Sequence, residues 1–364
     1  MHVLADISAH GLGHLAQTAP VLSALRERFP AVRLTVRSGL AVERLAQRIR
    51  GPFTHIAAAS DFGFVMQNAV DIDFAASARR YQAFHTEWDA NVAEAAAALR
   101  RDAVDVVLAN AAYLPLAAAA QAGIPAVGFC SLNWADLFAH YFGGETWAVP
   151  VVRQMYAAYN AADIFLRLQP GMPMPHFART QSIGPIAALA SAAPAILRER
   201  IAARQGWDTR RRWVLLAMGG MDFPLPVADW PQDARTLWLC PAAWGIERPD
   251  AAAFDPAVAE HGFTDLLAAS DAVVTKPGYG TFVEAACNGV PVLYVPREDW
   301  PEEMPLAEWL NCHGRACAVS RPTLLAGDFL GELEGLLARP APPVPPPAGI
   351  AQAVEAIAAL VAGR

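Results

Sequence analysis

Asp271-Ala-Val-Val-Thr-Lys-Pro-Gly-Tyr-Gly-Thr-Phe-Val-Glu284, continuing through Ala285-Ala-Cys-Asn-Gly-Val-Pro-Val-Leu-Tyr-Val-Pro296, is the stretch whose reading decides the fold. Ala272 to Thr275 reads as a short buried strand, Thr281 to Asn288 as a helix closed by Gly289, and Val290 to Val295 as the next strand. A strand, glycine loop, helix and strand in this order form the unit of a parallel sheet. Pro277, Gly278 and Gly280 let backbone N–H groups turn inward, and Thr281 is expected to cap the helix. The opening N–H groups of such a helix lack partners and carry partial positive charge, so they attract anions. Lys276, the only lysine of the chain, stands at the mouth of the loop, and Glu284 lies one turn inside the helix. An anion site beside a carboxylate able to accept from a diol suits a nucleotide. The same pattern also fits an ordinary strand–helix turn with solvated charges.

Composition narrows the class. At 364 residues the chain is long enough for two cores, and a net charge of −7 argues against nucleic acid as a partner. The five cysteines are odd in number and lack metal-ligand spacing, which points to reduced thiols in a cytoplasm. Residues 106–135 carry no charge, but Asn110, Pro115, Gln121, Gly123 and Pro125 interrupt them. They read as strand, helix and strand, so no transmembrane segment is expected, and peripheral membrane contact is left open.

Upstream, strands at Val3–Ser8, Val32–Arg37, Phe53–Ala57, Val104–Ala109, Pro125–Phe129 and Ile164–Leu168 alternate with helical stretches. This predicts a doubly wound α/β domain ending near Ser182–Ile186. A second alternation starts at Trp213–Ala217, with Gly219 and Gly220 in the loop that follows. The organisation expected is residues 1–184 as the first domain, 185–345 as the second, and 346–364 as a closing helix packed back across the junction.

The first domain has its own glycine loop, Ala9-His-Gly-Leu-Gly-His14. Gly11, Gly13 and Ala16 fit a dinucleotide fingerprint, but strand two ends in Arg37-Ser38 and offers no acidic residue for an NAD ribose. Only an NADP-dependent oxidoreductase survives from that reading. His10 and His14 flank the glycines, and a histidine at a helix start suits a general base; both could equally cap or pack. Asp71-Ile-Asp73 resembles a metal-binding pair of acids, yet capping explains it better, and no metal is expected.

With these motifs in hand, the chain resembles the GT-B glycosyltransferases, in which two Rossmann-like domains face each other across a cleft. His10–His14 and Lys276–Glu284 look like the two loops of that family, in order and separation. The glycosyltransferase-like domain that precedes the sugar kinase in plant L-arabinokinases is a nearer resemblance, carried by Asp61-Phe-Gly63, Asn133-Trp134, Tyr141, Pro170–Pro175 and Arg297–Glu303. The resemblance implies an inverting, metal-independent transfer of a sugar from a nucleotide donor, UDP-linked, to a hydroxyl acceptor, with no further cofactor. Gly278, Tyr279, Gly280 and Thr281 would then meet the diphosphate with Lys276, and Glu284 the ribose. Phe263 and Thr264 would lie beside the base, Gly219 and Gly220 on the donor side, and Glu302 and Glu303 against donor-sugar hydroxyls. His14 would be the base, with His10, Gly11, Gly13, Asp61 and Trp134 on the acceptor side and a carboxylate partner sought at Asp61 or Asp136. The loops Asp61–Asp73 and Trp134–Thr146 are expected to be irregular and to offer Phe62, Phe64, Trp134, Phe138 and Tyr141 to the acceptor. A nucleotide-sugar-binding module without transfer activity is the alternative within this resemblance.

Overall fold

The computed structural model describes residues 1–68, 70–220, 223–255 and 262–362. They divide into two compact units. One is built from Met1–Gln67, Asp71–Ile186 and the segment from Ala348 onward, the other chiefly from Ala187–Pro347.

The first unit has a sheet of seven parallel strands: β1 (His2–Ile7), β2 (Arg33–Arg37), β3 (Thr54–Ile56), β4 (Val106–Asn110), β5 (Ala126–Cys130), β6 (Ile164–Leu168) and β7 (Thr180–Ile183). Their spatial order is β3-β2-β1-β4-β5-β6-β7. The chain therefore winds outward from β1 to one edge, then returns to build the other half from β4. The change of direction lies between β1 and β4, where Ile7 pairs with Asn110. Loops leaving two such strands diverge and open a crevice at their carboxyl ends, where ligands of this architecture bind. Helix α1 (Leu12–Arg28) leaves the first of these loops.

Three features depart from the sequence reading. Ser182 and Ile183 belong to β7, a strand of this sheet, because Leu168 pairs with Ile183. The long helical stretch divides into α3 (Phe74–Thr86) and α4 (Trp88–Arg101), after the short α2 (Val42–Ala46) and before α5 (Leu114–Ala122). Residues 134–146, expected to be irregular, hold the helix α6 (Trp134–Phe142), with α7 (Ala148–Asn160) after it. Asn133 starts α6 by accepting from the Asp136 backbone N–H at 2.8 Å, and Trp134, Leu137 and Phe138 give the helix a buried face.

The second unit repeats the plan with six parallel strands: β8 (Arg212–Ala217), β9 (Thr236–Pro241), β10 (Ala251–Phe254), β11 (Ala272–Thr275), β12 (Val292–Tyr294) and β13 (Ala316–Ala318). The order β10-β9-β8-β11-β12-β13 places its change of direction between β8 and β11, where Ala217 pairs with Thr275. Strands β10 and β13 were not legible in the sequence, being four and three residues long at the two edges. Helices α8 (Pro194–Gln205), α9 (Phe263–Ala269), α10 (Tyr279–Cys287), α11 (Glu303–His313), α12 (Arg321–Ala326) and α13 (Leu330–Leu337) cover the sheet. Trp230, Trp238 and Phe329 meet edge to face at 5.2–5.7 Å in its core.

The closing helix α14 (Gly349–Ala362) packs on α1 and β7 of the first unit. Gly349 is required there, because a Cβ would come within 2.1 Å of the Gly184 carbonyl oxygen. Gln352 accepts from the Gly184 N–H at 2.6 Å.

Candidate functional site

In the first unit the crevice between β1 and β4 holds His14, the third residue of α1. Its Nδ1 lies 2.7 Å from Asn110 Oδ1, and Asn110 is the last residue of β4. The amide oxygen can only accept, so Nδ1 carries the hydrogen and Nε2 the lone pair. Asn110 is held in turn, its Nδ2 donating to Gln17 Oε1 at 2.9 Å, and Gln17 Nε2 donating to Ser131 Oγ at 2.8 Å. The partner of His14 is thus a neutral amide, and neither carboxylate sought for it serves. Asp136 accepts instead from Tyr156 and Asn133, and Asp61 accepts from Trp134 Nε1 at 2.5 Å. Burial pulls the His14 pKa down to about 4, with the Asn110 contact opposing. The imidazole is neutral at physiological pH.

Trp134 gathers this site. Its ring centroid lies 5.7 Å from that of His14 and 5.1 Å from that of His10. Gly63, at φ +58°, lets the Asp61–Gly63 loop close over these rings, since a Cβ would meet His10 and Trp134 at 2.8 Å. Burial pushes the Asp61 carboxyl up to about 7; the Trp134 hydrogen bond opposes this and the charge of Asp6 adds to it. Gly11, at φ +146°, precedes α1, and Gly13 lies in its first turn, where an added Cβ would meet nothing within 4 Å. Of the aromatic residues expected to face an acceptor, Phe64, Trp134 and Phe138 are buried in the core, and Phe62 and Tyr141 are half-buried. Asp73 caps α3 by accepting from the Ala76 N–H at 2.9 Å, which is the role preferred for it. Residue 69 of that loop lies outside the described residues. Arg37 turns inward to pair with Asp6, leaving its side chain 16 % exposed, which does not suit the 2′-phosphate of NADP.

In the second unit the crevice between β8 and β11 holds both glycine loops. Gly219 adopts φ +95°, and a Cβ there would lie 3.2 Å from Lys276 Cε, so the lysine stem runs across the first loop. Gly220 follows it and is exposed. The helix opens earlier than expected. Gly278 is the residue before α10, Tyr279 and Gly280 are already helical, and no side chain caps it. Thr281 is therefore inside the first turn, and the expected cap is corrected: the cap position is held by Gly278, which has no side chain to accept from the helix, and a helix N-terminus of this kind attracts anions. Glu284 is the sixth residue of α10 and 1 % exposed.

Phe263 and Thr264 form the first turn of α9, which packs beside α10. The loop after β12 returns to the same edge, because Val295 N donates to the Thr275 carbonyl oxygen at 3.1 Å. It carries Arg297, whose guanidinium lies 3.7 Å from the centroid of the Trp300 ring. Glu303 accepts from the Arg297 N–H at 2.6 Å, and Glu302 from Trp300 Nε1 at 3.3 Å. Burial lowers the Lys276 pKa to about 8, the charge of Arg297 adds to this, and Glu302 opposes it. Arg297, Asn110 and Gln17 escaped the reading of site residues. The one signal for Asn110 is its place as a polar residue ending an apolar strand.

Two doubly wound parallel sheets of seven and six strands, each reversing at its first strand, make this the GT-B fold. In solved structures it is similar to CalG4, the calicheamicin glycosyltransferase, at a TM-score of 0.64 and 18% identity, over 99% of this chain and 98% of that one. The glycosyltransferase VinC, solved in complex with dTDP, matches at a TM-score of 0.57 and 19% identity, over 100% of this chain and 95% of VinC. In sequence the chain is 24% identical over 335 residues to the L-arabinokinase of Arabidopsis thaliana. That alignment covers 90% of this chain but spans only 31% of the arabinokinase. No protein-family model matches.

Proposed function

We propose that this protein is an inverting glycosyltransferase that moves a sugar from a nucleotide donor, UDP-linked, to a hydroxyl acceptor without a metal. The observation that carries this reading is the crevice between β8 and β11, where Lys276 crosses Gly219 and the uncapped N-terminus of α10 begins. A departing diphosphate gains charge as the anomeric C–O bond breaks, and a cation beside the positive end of a helix stabilises that charge. The crevice between β1 and β4 supplies the other half. The Asn110 contact holds His14 with its lone pair on Nε2, the form in which imidazole takes a hydroxyl proton. VinC holds a pyrimidine nucleoside diphosphate on the same fold, which supports a pyrimidine donor here.

Titration calorimetry with UDP, and with dTDP as competitor, tests the donor half. Glu284→Ala removes a charged acceptor of ribose hydrogen bonds, each worth about 1.5–3 kcal/mol, so affinity should fall by about one to two orders of magnitude. His14→Ala should keep UDP affinity and lose about 10²–10⁴-fold in turnover. The reverse pattern would place the nucleotide on the first glycine loop and restore the oxidoreductase reading. A second reading has one observation behind it. An imidazole held at a pKa of about 4 beside an amide is a weak base, which favours a nucleotide-sugar-binding module without transfer. UDP binding with no turnover of donor in wild type or variant would select it.

A further inference from the structure

We propose that Gln17 is a positioning residue: through Asn110 it sets which ring nitrogen of His14 carries the hydrogen, and so keeps the lone pair on Nε2, where an acceptor hydroxyl would lose its proton. The proposal rests on the reading of His14 as the base and deepens it. Gln17 follows His14 by three residues on α1, so the two side chains leave the same face of the helix. That face is buried, and Gln17 is 2 % exposed. A leucine or methionine would fill the same space without the cost of burying an amide, so the amide itself needs an explanation. Its two hydrogen bonds supply one. Gln17 Oε1 accepts from Asn110 Nδ2 at 2.9 Å, and Gln17 Nε2 donates to Ser131 Oγ at 2.8 Å. Asn110 Oδ1 in turn faces His14 Nδ1 at 2.7 Å. The Cys130 sulfur lies 3.7 Å from the same nitrogen, a longer and weaker contact.

The ring of His14 is neutral at physiological pH, so it holds one hydrogen, and the partner of one nitrogen fixes the state of the other. Asn110 cannot decide this by itself, because its amide has nearly the same shape either way round. Turned over, it would point Nδ2 at His14 Nδ1, which would then have to hold the lone pair, and the hydrogen would sit on Nε2. Gln17 opposes that state. With Asn110 turned, Oδ1 would face Gln17 Oε1, and two acceptors would meet with no hydrogen between them. Gln17 could relieve this only by turning as well, which would require Ser131 to donate its hydroxyl hydrogen. Three side chains change together or none does. The far end of the relay is firmly seated. The Ser131 carbonyl oxygen accepts from the Met172 N–H at 2.7 Å, and a Cβ at Gly171 would come within 2.7 Å of that same oxygen. The loop after β6 therefore backs Ser131, which follows β5, and the relay runs from there through α1 and β4 to the imidazole.

Long-range ¹H–¹⁵N correlation spectra of the full chain with ¹⁵N-labelled histidine, at neutral pH and without ligand, test this. The His14 signals are those absent from His14→Ala. Wild type should show the hydrogen on Nδ1. Gln17→Met keeps the length of the side chain and removes the acceptor, so the ratio of Nδ1–H to Nε2–H should fall about tenfold, the worth of one hydrogen bond. Gln17→Glu keeps an oxygen where Asn110 Nδ2 needs it and should keep the wild-type tautomer. Ser131→Ala leaves α1 untouched and should lower the ratio in the same direction; it carries the test if Gln17→Met does not fold, which melting temperatures show. Three outcomes overturn the proposal: Nε2–H in wild type, loss of Nδ1–H in Gln17→Glu, or an unchanged ratio in folded Gln17→Met or Ser131→Ala, which would leave Gln17 a packing residue. No donor or acceptor enters the measurement. Its failure therefore leaves the donor reading standing, and a lack of turnover leaves the tautomer result intact.

Discussion

At the scale of single residues, His14 and Asp61 are both buried in the first unit but carry opposite shifts, and their contributions to stability run in opposite directions. His14 loses basicity on folding, from its usual 6.5 to about 4. Its contribution is present above about 6.5 and lost as pH falls through about 4. Asp61 gains a proton affinity on folding, from 3.8 to about 7. Its contribution is present below about 3.8 and lost as pH rises through about 7, a swing of about 4 kcal/mol. Between about 4 and 6.5 the two slopes oppose each other, and above that only the decline due to Asp61 remains. Chemical denaturation across this range should show Asp61→Asn gaining on wild type as pH rises, with the gain complete above about 7. A variant that trails wild type equally at every pH would mean that the carboxyl is not held protonated. The identity of the His14 partner belongs to this scale too. A histidine after a glycine loop is visible in sequence, but Asn110 lies 96 residues away and meets it only because Ile7 and Asn110 are paired across β1 and β4.

At the scale of elements, α14 shows how a short amphipathic helix is assigned by what covers it. Its sequence pattern predicts a helix, and the helix forms, but the partner face comes from α1 and β7. Ile357, fully buried, is central to that face. Ile357→Ala should cost about 2–5 kcal/mol through lost burial and the cavity left behind. Hydrogen exchange should locate the loss in the first unit, in α1 and β7; faster exchange in β8 or β11 instead would contradict the packing. The start of α10 is a second lesson at this scale. Propensity places the helix start at Thr281, because glycines are poor helix formers. The fold begins it at Tyr279, with Gly280 inside the first turn, so tertiary context overrides propensity.

At the scale of the whole molecule, two compact units are expected to unfold in separate cooperative transitions. A ligand that binds one folded unit raises the stability of that unit by mass action. UDP at about 100 times its Kd should add about 2.7 kcal/mol. Calorimetry should show that increment in the transition of the second unit, identified by the loss of protection in β8 and β11. A shift confined to the first unit would remove the nucleotide from the α10 loop. Acting at this scale as well, the second unit brings the charge of Arg297 close enough to Lys276 to help lower its pKa, a repulsion that a bound anion would offset.

What the sequence determined by itself was the alternation of apolar strands and amphipathic helices, the two glycine loops, and the residues that stand in them. Those are local properties: a run of β-branched residues, a glycine where the backbone must turn, a helix start after it. From them follow two doubly wound units and the candidate roles of His14 and Lys276. Tertiary structure alone decided which groups meet across the sheet. Asn110 rather than a carboxylate faces His14, Arg37 turns to Asp6, and Trp134 is core rather than rim, donating to Asp61. The physical reason is that strand register and burial, not spacing along the chain, set distance and dielectric. Those two quantities fix a proton's position and a charge's cost.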